Sequence, residues 1–291
     1  MPHLFCFGLG YSAQALIDRL APSGWTFSGT NRSGEPVRQC AKVWRFDGTS
    51  SIPAAALDGV SHLLIAIPPG ETGDPVIAFH EQDLARRAAQ FAWAGYLSTT
   101  GVYGDRGGEW VDEHSPLVPS GDRGRRRLDA ENAWLRLFVR YGLPVHIFRL
   151  AGIYGPGRNQ LAALKEGTAR RIVKPGQVFS RIHVEDVAGV LAASIARPHP
   201  GRAYNVCDDE PSPPQDVIAY AAHLLRRAPP PEIPFEKADL PPMARSFYAE
   251  SKRVSNRRIK EELGYQLRYP TYREGLRALR DEIDRSLPRT R

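Results

Sequence analysis

"HLFCFGLGYSAQALIDRLAPSGWTFSGTNRSG", residues 3–34, runs from an apolar segment through a glycine turn into a helical pattern and out into a second apolar segment. Residues 3–7 read as a buried strand, and a second strand follows at about 25–29. Gly8, Gly10 and Ala13 form G-x-G-x-x-A directly after the first strand and directly before the helix. Gly8 turns the chain, Gly10 lets the backbone approach a pyrophosphate, and the small Ala13 lets helix and strand pack closely. A phosphate would then sit at the helix N-terminus, beside Tyr11 and Ser12. This is the opening βαβ unit of a doubly wound parallel sheet, and its first ligand expectation is a dinucleotide.

The next segments extend the sheet. "KVWRFD" gives a third strand, and "VSHLLIAIPPG" gives a fourth that Pro68 and Pro69 stop, with Pro68 placed against the cofactor. A helix through "PVIAFHEQDLARRAAQFAW" leads to a fifth strand in "GYLSTTGVYG", and a helix over 125–141 feeds "PVHIFRL". Strands alternating with helices of this size imply an α/β fold of Rossmann-like type. Beyond Gly152 the texture changes. Residues 1–152 read as the dinucleotide-binding domain, with 181–206 returning to it, and 153–180 together with 207–291 as a smaller C-terminal substrate lobe. The Pro-rich "RRAPPPEIPFEKADLPP" reads as a loop or linker.

At the end of the second strand, an NAD-preferring site would place Asp or Glu on the ribose 2′-hydroxyl. This chain has Thr30, Asn31 and Arg32 there. A guanidinium can pair a 2′-phosphate, so the expectation is NADP rather than NAD, with a solvated loop arginine as the alternative. Asp47, after the third strand, is either an adenine contact or an ordinary turn aspartate.

Bulk properties narrow the class. The 291 residues can bury a sizeable core, and the formal charge of +7 points to an anionic partner, polymer or small ligand. Cys6, Cys40 and Cys207 lie far apart without a C-x-x-C pair, which argues against a zinc site and a disulfide framework. No apolar run approaches a membrane span, and the first motif begins at Gly8, so the expected location is the cytoplasm. The run Arg123–Arg127, broken by Gly124, is accompanied by no nucleic-acid-binding motif, so no specific nucleic-acid partner is expected.

The segments "YLSTTGVYGDRGGEWVDEHSPLVP", "HIFRLAGIYGPGRN", "SRIHVEDVAGVLAA" and "AYNVCDDEPSP" fall in one order and spacing. In these the chain resembles, from residue 3 to about 280, the extended short-chain dehydrogenase/reductase group of NAD(P)-dependent epimerases and dehydratases. The short glycine turn and the "SKRVSNRRIKEELGYQLRYPTYREGL" ending are similar to an atypical bacterial branch. The resemblance implies a catalytic Ser/Thr at Thr99 and nicotinamide near Thr99, Arg127 and the turn from Leu150 to Gly152. It also implies a Tyr-x-x-x-Lys pair on the following helix. Counting back from "LDAE", those positions hold Arg123 and Arg127.

Arg127 can keep the ribose-clamping role of the lysine. Arg123 cannot replace the tyrosine, because a guanidinium has essentially no neutral form near pH 7. Tyr103, Tyr154, His183 and Tyr248 are the alternative proton donors, each with a packing role as the bland reading. Where sugar-nucleotide members carry Asn and Arg, this chain has Gly152 and Phe179, while Arg158 and Arg181 offer replacement anion contacts to a substrate that Tyr154 would frame. Two readings stand: an NADP(H)-dependent oxidoreductase or epimerase on a small carbonyl or sugar-like substrate, and a dinucleotide-binding sensor or scaffold. A homodimer is compatible with both.

Overall fold

The computed structural model describes residues 1–286. Strand β1 (His3–Phe7) and helix α1 (Tyr11–Leu20) flank the glycine turn, followed by β2 (Thr26–Asn31), β3 (Cys40–Arg45), β4 (His62–Ile65), α2 (Pro75–Arg86) and β5 (Trp93–Thr99). Then come β6 (Trp110–Val111), α3 (Asp122–Tyr141), β7 (Val145–Leu150), β8 (Gly152–Tyr154), α4 (Gln160–Lys165), β9 (Arg171–Val173) and β10 (Arg181–His183). The chain continues through α5 (Val184–Ala196), β11 (Ala203–Val206), α6 (Pro214–Leu224), β12 (Glu232–Pro234), α7 (Pro242–Phe247), β13 (Arg253–Val254), α8 (Arg257–Glu261) and α9 (Tyr272–Ser286).

Seven strands form one parallel sheet in the order β11-β7-β5-β4-β1-β2-β3. The order reverses between β1 and β4, which opens a crevice at the carboxyl ends of these strands. Period-two alternation sends successive side chains to opposite faces. Leu4 and Cys6 join Leu16, Ile17, Val187 and Leu191 under α1 and α5. Phe5 and Phe7 join Leu63, Ile65, Leu84 and Trp134 under α2 and α3. Asp74 caps α2, accepting from the Val76 and Ile77 amides, and its other oxygen accepts from Trp134 Nε1 at 3.0 Å, which ties α2 to α3.

Two elements differ from the sequence expectation. Helix α3 starts at Asp122 rather than 125, because the extended Gly121 serves as its N-cap and Gly124 lies inside the first turn. A Cβ at Gly124 would stand 2.8 Å from Pro119 Cβ and 2.9 Å from the Gly101 carbonyl oxygen. Only glycine lets this helix approach the turn after β5 so closely. The Pro-rich segment is not simply a linker, since β12 within it pairs in parallel with β9, Ile233 opposite Ile172. Pro234 is tolerated there because the pair is an isolated edge. Around it, β8 with β10, β6 with β13, and helices α4, α6, α7 and α9 build up the region beyond β7. No helix among the described residues is long and apolar enough to cross a membrane.

Candidate active site

The glycine turn is fixed to the second strand. Gly8 N donates to Thr30 Oγ1 at 3.0 Å, and Leu9 N donates to the Thr30 carbonyl at 2.8 Å. Gly8 has φ +94°, in the region that L side chains avoid, and a Cβ there would meet Ile67 Cγ1 at 2.9 Å. Gly10 differs: a Cβ there would meet nothing within 4 Å. Gly10 is also the N-cap of α1 and offers no side chain to it, so the first amides of the helix face outward without an intrahelical acceptor. Ser12 and Ala13 are buried behind them. The Thr30 tie places the loop after β2 next to this turn. Asn31 Oδ1 accepts from the Gly34 amide and its Nδ2 donates to the Glu35 carbonyl, so Asn31 shapes the loop. Arg32 projects from it, exposed and without a hydrogen bond or ion pair among the described residues.

A cavity of about 860 Å³ opens at the carboxyl ends of β1, β4, β5 and β7. Gly10, Tyr11 and Ser12 line one end, Ala66, Thr99, Leu150 and Gly152 the floor, and Arg123 and Arg127 the head of α3. Thr99 Oγ1 accepts from the Gly101 amide at 3.2 Å. Arg127 Nη1 donates to the Leu97 carbonyl at 2.8 Å and to the Tyr96 hydroxyl at 3.1 Å, which holds its guanidinium against β5. Arg123 stacks over the Phe247 ring at 5.2 Å. Burial, and then repulsion from Arg127, pull its pKa down. The opposite wall carries Tyr154, Arg158, Phe179, Arg181 and Tyr248. Tyr11 spans the two ends, its hydroxyl donating to the Pro156 carbonyl at 3.0 Å. Arg181 is buried, and its Nη1 donates to the carbonyls of Phe179 and Ser212 at 2.9 and 3.1 Å.

Several expected residues stand elsewhere. Pro68 is exposed beyond the cavity, where Ala66 lines the end of β4 instead. Asp47 pairs with Arg45 and accepts from Thr49, closing a turn away from the cavity. Tyr103 is wholly buried outside it: its hydroxyl donates to Asn205 Oδ1 at 2.7 Å and accepts from Arg149 Nη1 at 3.0 Å. That hydroxyl therefore has no access to a ligand, and burial pushes its pKa up to about 12. His183 is the N-cap of α5, with Nδ1 accepting from the Glu185 amide and its ring edge-on to Tyr154. Burial and the nearby Arg268 push it down to about 4. Tyr154 donates to the Thr271 carbonyl at 3.5 Å. Tyr248, between the rings of Phe179 and Phe235, has no hydrogen-bond partner for its hydroxyl among the described residues and lines the cavity.

Comparisons with known proteins bear on the fold. No family model matches the chain. Protein YeeZ of Escherichia coli (strain K12) is 28% identical over 285 residues, covering 90% of this chain and 94% of its own. A conserved protein of unknown function from Silicibacter pomeroyi is 55% identical with a TM-score of 0.89, over 98% of this chain and 100% of its own. A structure from Methylobacillus flagellatus, assigned as an NAD-dependent epimerase/dehydratase, is 26% identical with a TM-score of 0.74, over 97% and 98% of the two chains. The chain shares its fold with NAD-dependent epimerase/dehydratase-like proteins, to which these solved structures are similar. The α1 turn lies at one end of the cavity and the residues beyond β7 line the other.

Three features of the site lie outside the sequence expectation. Arg149 and Glu131 form a buried bidentate pair, Nη2 to Oε2 2.9 Å, and Ser98 Oγ donates to Glu131 Oε1. Lys252 is buried on the cavity wall, donating to the Gly104 carbonyl at 2.7 Å and to Glu250 at 2.6 Å. Ser120, Gly121 and Asp122 bring the start of α3 itself to the cavity. A charged residue inside the apolar "VHIFRL" run was the available signal for Arg149. Nothing local marks Lys252, whose partner Gly104 is 148 residues away in sequence.

Proposed function

We propose that the protein is an NADP(H)-dependent oxidoreductase of the epimerase/dehydratase type acting on a small carbonyl or sugar-like substrate. The observation that carries this reading is that the α1 turn, Thr99 and Arg127 line one continuous cavity. The turn fits a dinucleotide: the space over Gly10 is open, and the outward amides of α1 can receive a pyrophosphate. Arg32, unpaired on the adjoining loop, would hold a 2′-phosphate, which is the basis for preferring NADP over NAD. Bound there, the nicotinamide supplies hydride transfer. Thr99 orients the substrate oxygen, and Arg127, anchored by Leu97 and Tyr96, keeps Nη2 and Nε for ribose hydroxyls.

The proton needs another group, since Arg123 stands where the family keeps its tyrosine. Tyr248 is our candidate: a tyrosine on the cavity wall with an uncommitted hydroxyl, whose pKa is raised by burial and lowered by the charge of Arg181. Tyr248→Phe should lower kcat by about 100-fold or more with the Kd for NADPH unchanged. The check is NADPH oxidation over a panel of aldehydes, ketones and nucleotide sugars. If kcat of the phenylalanine variant equals that of the wild type, Tyr248 is not the donor.

Arg123 itself favours a second reading, a dinucleotide-binding sensor that retains the fold without the reaction. Tight NADPH binding with no turnover on any member of that panel would select it.

A further inference from the structure

The charges lining the cavity are unbalanced. Arg123, Arg127, Arg158, Arg181 and Lys252 face it, against only Asp122 and Glu250. Both carboxylates are already committed, Glu250 to Lys252 at 2.6 Å and Asp122 to Arg125 at 2.5 Å. Arg158 acts on the Tyr11 hydroxyl, which places it toward the α1 turn. Arg181 spends Nη1 on two backbone carbonyls on the far wall. The excess charge nearest Thr99 is therefore at the head of α3, where Arg123 and Arg127 lie one turn apart on the same helix.

Like charges at this spacing repel, and Gly124 sets the pair close against the Gly101 carbonyl on the turn after β5. Arg123 makes no hydrogen bond or ion pair among the described residues; its guanidinium lies over the Phe247 face, repelled by Arg127 and attracted by the charge of Glu250. The uncapped start of α3 adds further positive potential, with Gly121 contributing no side-chain acceptor. A guanidinium held over an aromatic ring beside a second guanidinium is a site for a carboxylate or phosphate oxygen pair.

We propose that Arg123, its guanidinium donating and the charge of Arg127 reinforcing it, forms an oxyanion-binding subsite at the reacting end of the cavity, so that the substrate carries a carboxylate or phosphate there. This deepens the proposed function and rests on it for which end of the cavity is the reacting one. The substitution of arginine for the proton-donating tyrosine is then a change of specificity: the position that touched a neutral hydroxyl now anchors a charged group.

Calorimetric titration of malonate and, separately, of inorganic phosphate at fixed ionic strength tests it, with the cofactor positions filled by saturating NADPH. Wild-type protein should bind at least one of the two probes, and Arg123→Gln should weaken that binding about tenfold or more with its affinity for NADPH and its thermal midpoint unchanged. Preference for malonate assigns a carboxylate, preference for phosphate a phosphorylated substrate. Binding of neither probe, or equal binding by wild type and Arg123→Gln, overturns the proposal. Should NADPH fail to bind, the same titrations without it separate the two ideas: anion binding lost in Arg123→Gln upholds the subsite while the dinucleotide reading falls.

Discussion

Arg149→Met should lower the free energy of unfolding by about 3–5 kcal/mol, the cost of leaving a buried charge without its partner. Glu131 and Arg149 side chains are 1% and 6% exposed. Taking two charges out of water costs several kcal/mol per ion, and only geometry that satisfies most of their lone pairs and protons offsets this. Here Arg149 Nε reaches both Glu131 oxygens at 3.2 Å, Nη2 reaches Oε2 at 2.9 Å, and Nη1 donates to Tyr103. The Tyr103 hydroxyl donates to Asn205 Oδ1, and Ser98 donates to Glu131. Methionine keeps much of the volume but strands the carboxylate with a single hydroxyl donor. The double variant Glu131→Leu with Arg149→Met should recover much of the loss, since it removes the orphaned charge. Urea unfolding curves with unchanged m-values measure both; a loss below about 1 kcal/mol in the single variant would show that the pair matters little. The network also has a positional role. Ser98 precedes Thr99, Arg149 precedes Leu150, and Glu131 lies one turn beyond Arg127, so one cluster fixes three parts of the cavity floor.

Gly10→Val should abolish measurable dinucleotide binding, a loss of about 100-fold or more, with stability lowered by only about 1 kcal/mol, the cost of a poor N-cap residue. The backbone at Gly10, φ −90° and ψ −168°, is extended and open to any residue, and a Cβ there touches nothing within 4 Å. In the proposed reading, that same empty space is where a pyrophosphate would approach the α1 amides. Valine therefore removes the ligand's place without disturbing the protein's own packing. Gly8→Val offers the contrast, because its φ of +94° and the 2.9 Å approach of Ile67 make the substitution strain the fold itself. Wild-type affinity for NADPH in a folded Gly10→Val protein would place the dinucleotide elsewhere.

The sheet was legible because each of its central strands is an apolar run ended by a glycine, proline or polar turn, and because G-x-G-x-x-A follows the first. The positions of Gly10, Thr99, Arg127 and Leu150 on the cavity were legible for the same local reason, each standing at the carboxyl end of a recognisable strand or at a fixed offset on the next helix. Side-chain commitments were not. Tyr103 follows Thr99 closely, yet its hydroxyl is taken by Asn205, 102 positions away. His183 sits at a strand end, where a base would be useful, but caps α5. Asp47 closes its own turn. Lys252 and Glu250 reach the cavity through a segment whose proline-rich approach hides a strand, β12. Residues chosen by strand position were placed by backbone pattern. Of the residues placed elsewhere, Tyr103 is taken by a partner distant in sequence, whereas Asp47 and His183 are taken by amides two positions on.

Paired titration of NADPH and NADH into wild type and Arg32→Ala tests the central claim most directly. Wild type is expected to bind NADPH more tightly than NADH, and Arg32→Ala to lower affinity for NADPH by about tenfold or more while leaving NADH unchanged. Equal affinity of the wild type for the two, or an Arg32→Ala protein that binds NADPH as the wild type does, would contradict it.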